Sequence, residues 1–300
     1  MEPAPDSTGA VDSDPSTLPR TEGLAAGYPL RIGNRWIYEG ETRMTLLPSD
    51  GSLGPSTVIP WQSAREIVCT EDHSGTPYTV EQRSQVSGGA ETVTWVRYRQ
   101  DFNGLYELDV AISDPPVCLA AAPGRAVGAG RAAAPPDPVP AGLSAAQQRA
   151  YRDALTRLRD RVATIHALLR IAPSPGPALP APNWARPGEL MRLRYPLRFK
   201  LQWVLRPGPP FTIFERVEGY ESFLLPAGKA SGYRIRLFGP LIDQFGTIRM
   251  WYGNTGYLRM ESRFEVEAVD QSGNLVGRVE IVERERLVAV QRASNRPVLP

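Results

Sequence analysis

Tyr28-Pro29-Leu30-Arg31 is followed by Gly33-Asn34 and by Trp36, and the same order returns as Tyr195-Pro196-Leu197-Arg198 with Trp203 at the matching place. Recurrence of proline and tryptophan at fixed spacing reads as one unit written twice, and each copy opens a strand-like stretch. After the first, Trp36, Tyr38, Gly40, Thr42, Met44 and Leu46 share one face of an extended segment. Arg35, Glu39, Glu41 and Arg43 share the other, with Ile37 out of phase. A two-residue period marks a strand with one wet face. Gly33-Asn34 supplies the positive φ that turns the chain sharply into it.

The second section, from about Leu193 to Val290, contains the longest alternation. Leu258, Met260, Ser262, Phe264, Val266 and Ala268 face one way and Arg259, Glu261, Arg263, Glu265 and Glu267 the other. Such a strand needs antiparallel neighbours. Asp270–Asn274 makes a hairpin, and Val276–Val290 returns with a change of apolar phase at Ile281-Val282 that predicts a bulge there. The Glu/Arg alternations, including Glu283–Arg286, read as cross-strand charge pairs on a solvated face. Further strands are expected at Arg65–Thr70, Tyr78–Arg83, Glu91–Arg99, Leu105–Ala111 and around Tyr233–Leu237. The predicted fold is mainly β: a twisted antiparallel sheet, half-barrel or sandwich-like, built from two related halves.

The expected organisation is a disordered tail or tether over 1–26, a first β half over 27–112, a second over 188–290, and a tail over 291–300. Between the halves, 113–187 is an Ala/Pro-rich insertion with one long amphipathic helix near 144–171. Ser144 and Gln147 form a capping box. Tyr151, Leu155, Leu158, Val162, Ile165 and Leu169 make one apolar stripe. That stripe docks on the β section, or binds a protein partner.

Composition narrows the function classes. The chain has 300 residues, 42% hydrophobic and 22% charged, with a formal net charge of +2. That charge is too small for an electrostatic nucleic-acid binder. No apolar run is long enough to span a bilayer, and Met1 is followed by polar residues rather than a signal-peptide core. Cys69 and Cys118 either pair or sit apart as small buried residues; paired, they would close a long loop.

No motif announces catalysis. Glu71, Asp72 and His73 are too close in sequence to converge on one ion, so neither a metal nor a cofactor is expected. His166 has no nucleophile placed to work with it. Paired carboxylates from separate strands, as a hydrolase would use, leave no spacing signature. The aromatics Trp36, Tyr38, Trp95, Trp203, Trp251, Tyr252 and Tyr257 either fill a curved sheet's core or line a concave apolar pocket.

The opening stretch Tyr28–Tyr38 resembles that of a group of exported bacterial proteins and lipoproteins whose mature domains begin aromatic-Pro-Leu-x-x-Gly-Asn-x-Trp-x-Tyr. Leu225-Pro226-Ala227-Gly228 with Tyr233-Arg234-Ile235, and Trp251-Tyr252 with Gly256, are similar to later motifs of that group. The resemblance implies a half-barrel similar in outline to envelope lipid and lipoprotein carriers, and a periplasmic or envelope location. It carries over no catalytic residue. The first expectation is a non-enzymatic envelope protein binding an apolar, lipid-like ligand through Trp36, Tyr38, Trp95, Trp203, Trp251 and Tyr252. The alternative is an accessory subunit gripping a partner through the helix and its Pro-rich arms.

Overall fold

The computed structural model describes residues 27–52, 54–87, 89–108, 115–118, 120–121, 144–168, 186, 188–207 and 212–293. The elements follow in order: β1 (Arg35–Pro48), β2 (Ser56–His73), β3 (Thr76–Ser87), β4 (Ala90–Gln100), β5 (Gly104–Leu108), β6 (Ala120–Ala121), α1 (Ala145–Leu168), β7 (Glu189–Arg194), β8 (Gln202–Arg206), β9 (Ile213–Leu225), β10 (Gly228–Phe238), α2 (Pro240–Phe245), β11 (Gly246–Gly253), β12 (Gly256–Val269) and β13 (Leu275–Gln291). They form one antiparallel sheet in the order β7-β5-β4-β3-β2-β1-β13-β12-β11-β10-β9-β8, with β6 beside β2. The first and last strands of that path face each other. Arg194 Nη1 donates to the Gln202 carbonyl at 3.5 Å and Trp203 Nε1 to the Met191 carbonyl at 3.0 Å. The sheet is therefore a nearly closed barrel whose seam carries side-chain bonds rather than a backbone ladder.

β1 and β12 alternate as their sequences require, with Trp36, Tyr38, Met44, Leu46, Phe264 and Ala268 buried inward. β7, from the stretch assigned to the second half, pairs with β5 of the first. The turns are built by side chains. Asp101 Oδ1 accepts from Asn103 N and Gly104 N, and Asp270 Oδ1 from Ser272 N and Asn274 N. Both motif copies lie at one end of the barrel, here the motif end. Tyr28 N reaches Gln100 Oε1 at 2.6 Å and Tyr195 Oη at 3.0 Å, and the Tyr195 hydroxyl donates to the same Gln100 oxygen.

The bulge expected at Ile281-Val282 is absent. β13 runs in unbroken register against β12 from Arg286 to Gly277. The apolar phase changes because Glu283 and Glu285 occupy inward positions, so these two carboxylates are not on the solvated face. The slip falls instead at Val288, skipped between Leu287 and Ala289 in the pairing with β1. The remaining alternation is solvated as expected: Arg263–Glu280, Arg278–Glu265, Arg284–Glu261 and Arg286–Glu39 pair across the outer wall.

α1 begins with the capping box, Ser144 N donating to Gln147 Oε1 and Gln147 N to Ser144 Oγ. The helix closes the end opposite the motifs, the helix end. Tyr151, Ala154, Leu155 and Leu158 pack on Met44, Leu46, Phe264, Val266, Ala268, Val279 and Ile281. The side chains of Val162, Ile165 and His166, and all of Leu169, lie outside the described residues. A disulfide joins Cys69 to Cys118, separated by 49 in sequence, and ties the start of the insertion to β2. In the chain-entropy model such a loop contributes about 4 kcal/mol.

A polar cavity inside the barrel as candidate functional site

Two buried clusters fill the barrel. One gathers around Tyr28, Trp36, Tyr38 and Ile67 at the motif end, the other beneath α1 at the helix end. Between them lies a cavity of about 420 Å³. Its mouth is at Trp61, Gln85 and Thr92, the last two exposed. Trp61 lies flat over β1 because Gly40 opposes it; a Cβ there would stand 2.3 Å from the indole.

The cavity has two unlike walls. Along β2 to β5 it presents Ser63, Arg65, Arg83, Ser84, Thr94 and Glu107, while β10 to β12 present Leu237, Ile248, Met250, Tyr252 and Met260. The charged groups come as satisfied pairs. Arg65 Nη2 binds Glu285 Oε2 at 3.2 Å and stacks its guanidinium 3.8 Å over the Tyr257 ring. Glu285 also accepts from Ser63 Oγ at 2.6 Å and from the Tyr257 hydroxyl at 2.8 Å. Arg83 Nε binds Glu81 Oε1 at 2.7 Å and its Nη2 donates to the Tyr98 hydroxyl oxygen, while the Tyr28 hydroxyl donates to Glu81 Oε2. Arg192 forks onto Glu107. Buried charges in a low dielectric persist only with partners of this quality.

Glu283 is different. It lines the cavity, and the Ser262 hydroxyl at 3.3 Å is its hydrogen-bond donor among the described residues. No arginine pairs with it among them. Burial, with the neighbouring Glu285 charge adding to it, raises its pKa. On β9, Glu215 is fully buried: Trp203 Nε1 donates to its Oε2 at 2.8 Å, and Oε1 has no partner among the described residues. Burial pushes the Glu215 pKa to about 8, and the nearby Arg192 only partly opposes that. Tyr252, raised to about 12 by burial, stays protonated.

The sequence-selected aromatics divide. Tyr252 lines the cavity. Trp36 and Tyr38 are buried in the motif-end cluster, Trp36 Nε1 donating to the Thr255 carbonyl and the Tyr38 hydroxyl to that of Tyr257. Trp203 is buried at the seam, Trp95 is half-buried opposite Gln82, and Trp251 stacks with Arg259 and donates to Glu221. Tyr151, Leu155 and Leu158 are covered by the chain's own sheet. Of the acidic turn, Glu71 binds Arg97 and the Val117 N–H, and Asp72 accepts from Gly75 N. The lumen charges were not visible beforehand because partners such as Arg65 and Glu285 come from opposite ends of the chain. Tyr257 reaches the cavity through a bulge: the β11–β12 register passes from Trp251↔Arg259 to Tyr252↔Tyr257, skipping Leu258.

The chain matches no family model and no curated protein. Two solved structures are similar to it at low identity. One, from Bacteroides fragilis NCTC 9343, is named as an exported protein with a YmcC-like fold; it is 11% identical with a TM-score of 0.34, over 88% of this chain and 98% of that one. The other, from Parabacteroides distasonis ATCC 8503, is named as a lipoprotein; it is 10% identical with a TM-score of 0.30, over 88% and 97%. At these values the likeness carries no argument about activity or location.

Proposed function

We propose that this barrel is a non-enzymatic binding protein of the cell envelope whose lumen holds a small amphiphilic molecule. The carrying observation is the two-sided cavity. Its β10–β12 wall offers an apolar bed, and its opposite wall offers paired charges and hydroxyls. A purely apolar ligand would strip water from Arg65, Arg83 and Glu107 without replacing it, which is costly. A molecule with an apolar body and a protonated amine or similar donor satisfies both walls, the donor meeting Glu283, the lumen carboxylate without an arginine among the described residues. Protonated phenols and arginines held by glutamates favour recognition over proton transfer. α1 serves as the plug that keeps the helix end dry.

Titration of the full chain with decylamine and decanoate, followed by tryptophan fluorescence, tests the reading. Decylamine is expected to bind at least about tenfold more tightly, and Glu283→Gln to level the two. Silence with both ligands, or a preference for the amine that survives Glu283→Gln, would refute it.

A further inference from the structure

The outer wall and the motif-end rim differ in one respect. On the wall, exposed arginines are matched by glutamates: Arg43 with Glu41, Arg284 with Glu261, Arg286 with Glu39. On the rim, Arg198, Lys200 and Lys229 are exposed, and no carboxylate pairs with them among the described residues. Lys200 and Lys229 are the only lysines of the chain. On the same rim, Asp101 is held by Arg99 at 2.8 Å.

The same loops carry exposed apolar side chains. Phe102 is 87% exposed, Phe199 43% and Leu224 82%. They sit on the β4–β5 turn, the β7–β8 connection and the end of β9. These are consecutive around the rim, because the order runs β10-β9-β8, across the seam to β7, then β5-β4. Two contacts fix the neighbourhood: Tyr195 N donates to the Asn103 carbonyl at 2.7 Å, and Lys200 N to the Val217 carbonyl at 3.0 Å. Lys200 Nζ stands 5.3 Å from the Phe199 ring centre, and Lys229 is cross-strand from Leu224. Leu225 is buried and Ala227 N bonds to the Leu287 carbonyl, so the β9–β10 hairpin folds across the barrel end and leaves Leu224 outside.

Apolar side chains on loop tips, two of them beside an unmatched cation, form a surface that anionic lipid complements: the apolar groups enter the acyl boundary while the cations remain among the headgroups. A protein partner of ordinary composition would not need three unmatched cations in the sector that carries the apolar tips. We infer that the sector carrying Phe102, Phe199 and Leu224 docks on the surface of an anionic bilayer. The barrel then stands on its motif end, with the cavity mouth and α1 turned away from the membrane.

The test is co-sedimentation of the full chain at low salt with phosphatidylcholine vesicles, with and without phosphatidylserine. The chain is expected to pellet with the anionic vesicles only. Lys200→Gln and Lys229→Gln should each weaken that binding about fivefold. The combined Phe102→Ser, Phe199→Ser and Leu224→Ser variant should weaken it at least about tenfold, with an unchanged far-UV spectrum. Arg284→Gln on the wall should change nothing. Equal binding to neutral vesicles, no binding to either, or undiminished binding by the triple variant overturns the inference. A reversible dimer that the triple variant abolishes would assign the patch to a second copy instead, and also overturns it.

Discussion

The two halves of the barrel share a frame and differ in what they point inward. After each motif copy the chain makes the same pair of bonds to the same place in the next hairpin. Gly33 N donates to the Ile67 carbonyl and Ile67 N to that of Asn34; Lys200 N donates to the Val217 carbonyl and Val217 N to that of Leu201. Gly33 and Lys200 both hold positive φ, 87° and 64°. Ile67 and Val217 both sit at a register slip, where Val68 and Glu218 are skipped. Taking Ile67 and Val217 as equivalent, the ladders match Arg65 with Glu215, Glu81 with Ile235, Arg83 with Leu237, and Tyr98 with Tyr252. One frame thus carries Glu81 and Arg83 in the first half where it carries Ile235 and Leu237 in the second. Backbone geometry does not dictate the lining; a few inward side chains do.

The largest expected effect separates the two tryptophans. Trp36 lies in β1, flanked by strands on both sides, and its indole reaches the β11–β12 turn of the other half. Trp203 lies in β8 beside the seam. Trp36→Ala should cost about 5 kcal/mol and Trp203→Ala about 3 kcal/mol in denaturant unfolding. Equal costs would mean that the seam is packed as firmly as the interior of the sheet. A sharper trial imports second-half residues into the first. Glu81→Ile alone strands Arg83 and should cost about 4 kcal/mol, whereas adding Arg83→Leu should return stability to within about 1 kcal/mol of the parent. Failure of the double variant to recover would show that the charged pair stabilises the frame beyond its own neutralisation.

The last effect is one of pH and concerns Glu215, the second-half counterpart of Arg65. Its carboxyl is neutral in the folded barrel up to about pH 8, but ionises near the ordinary 4.5 once unfolded. Folding therefore takes up a proton between those values. The contribution is complete below pH 4.5, falls as pH rises toward 8, and is flat above. Melting curves should show wild type losing on the order of 5 kcal/mol over that window relative to Glu215→Gln. Parallel curves for the two proteins would place the Glu215 charge in solvent.

Strands with one wet face were legible in the sequence because solvent and core impose opposite demands on neighbouring residues, as in β1 and β12. Where the core itself accepts charge, that logic fails. Glu283 and Glu285 look outward by composition yet point inward, which imitates a bulge at Ile281-Val282. Ile213–Leu225 hides in the same way behind Glu215. The slips at Val68, Leu258 and Val288 have no local residue signature. The long helix was readable at its cap and at Tyr151, Leu155 and Leu158 of its stripe, since capping and amphipathicity are local. Which surface it covers depends on Met44, Phe264 and Val279, far apart in the chain, and so was not.

A barrel laddered all the way round has its girth fixed by strand number and stagger. This one has a joint, between Glu189–Arg194 and Gln202–Arg206, stitched by an indole and a guanidinium. Among the described residues the circumference is thus closed at that line by side-chain bonds instead of by backbone pairing, so its girth there depends on side-chain torsions rather than on a ladder.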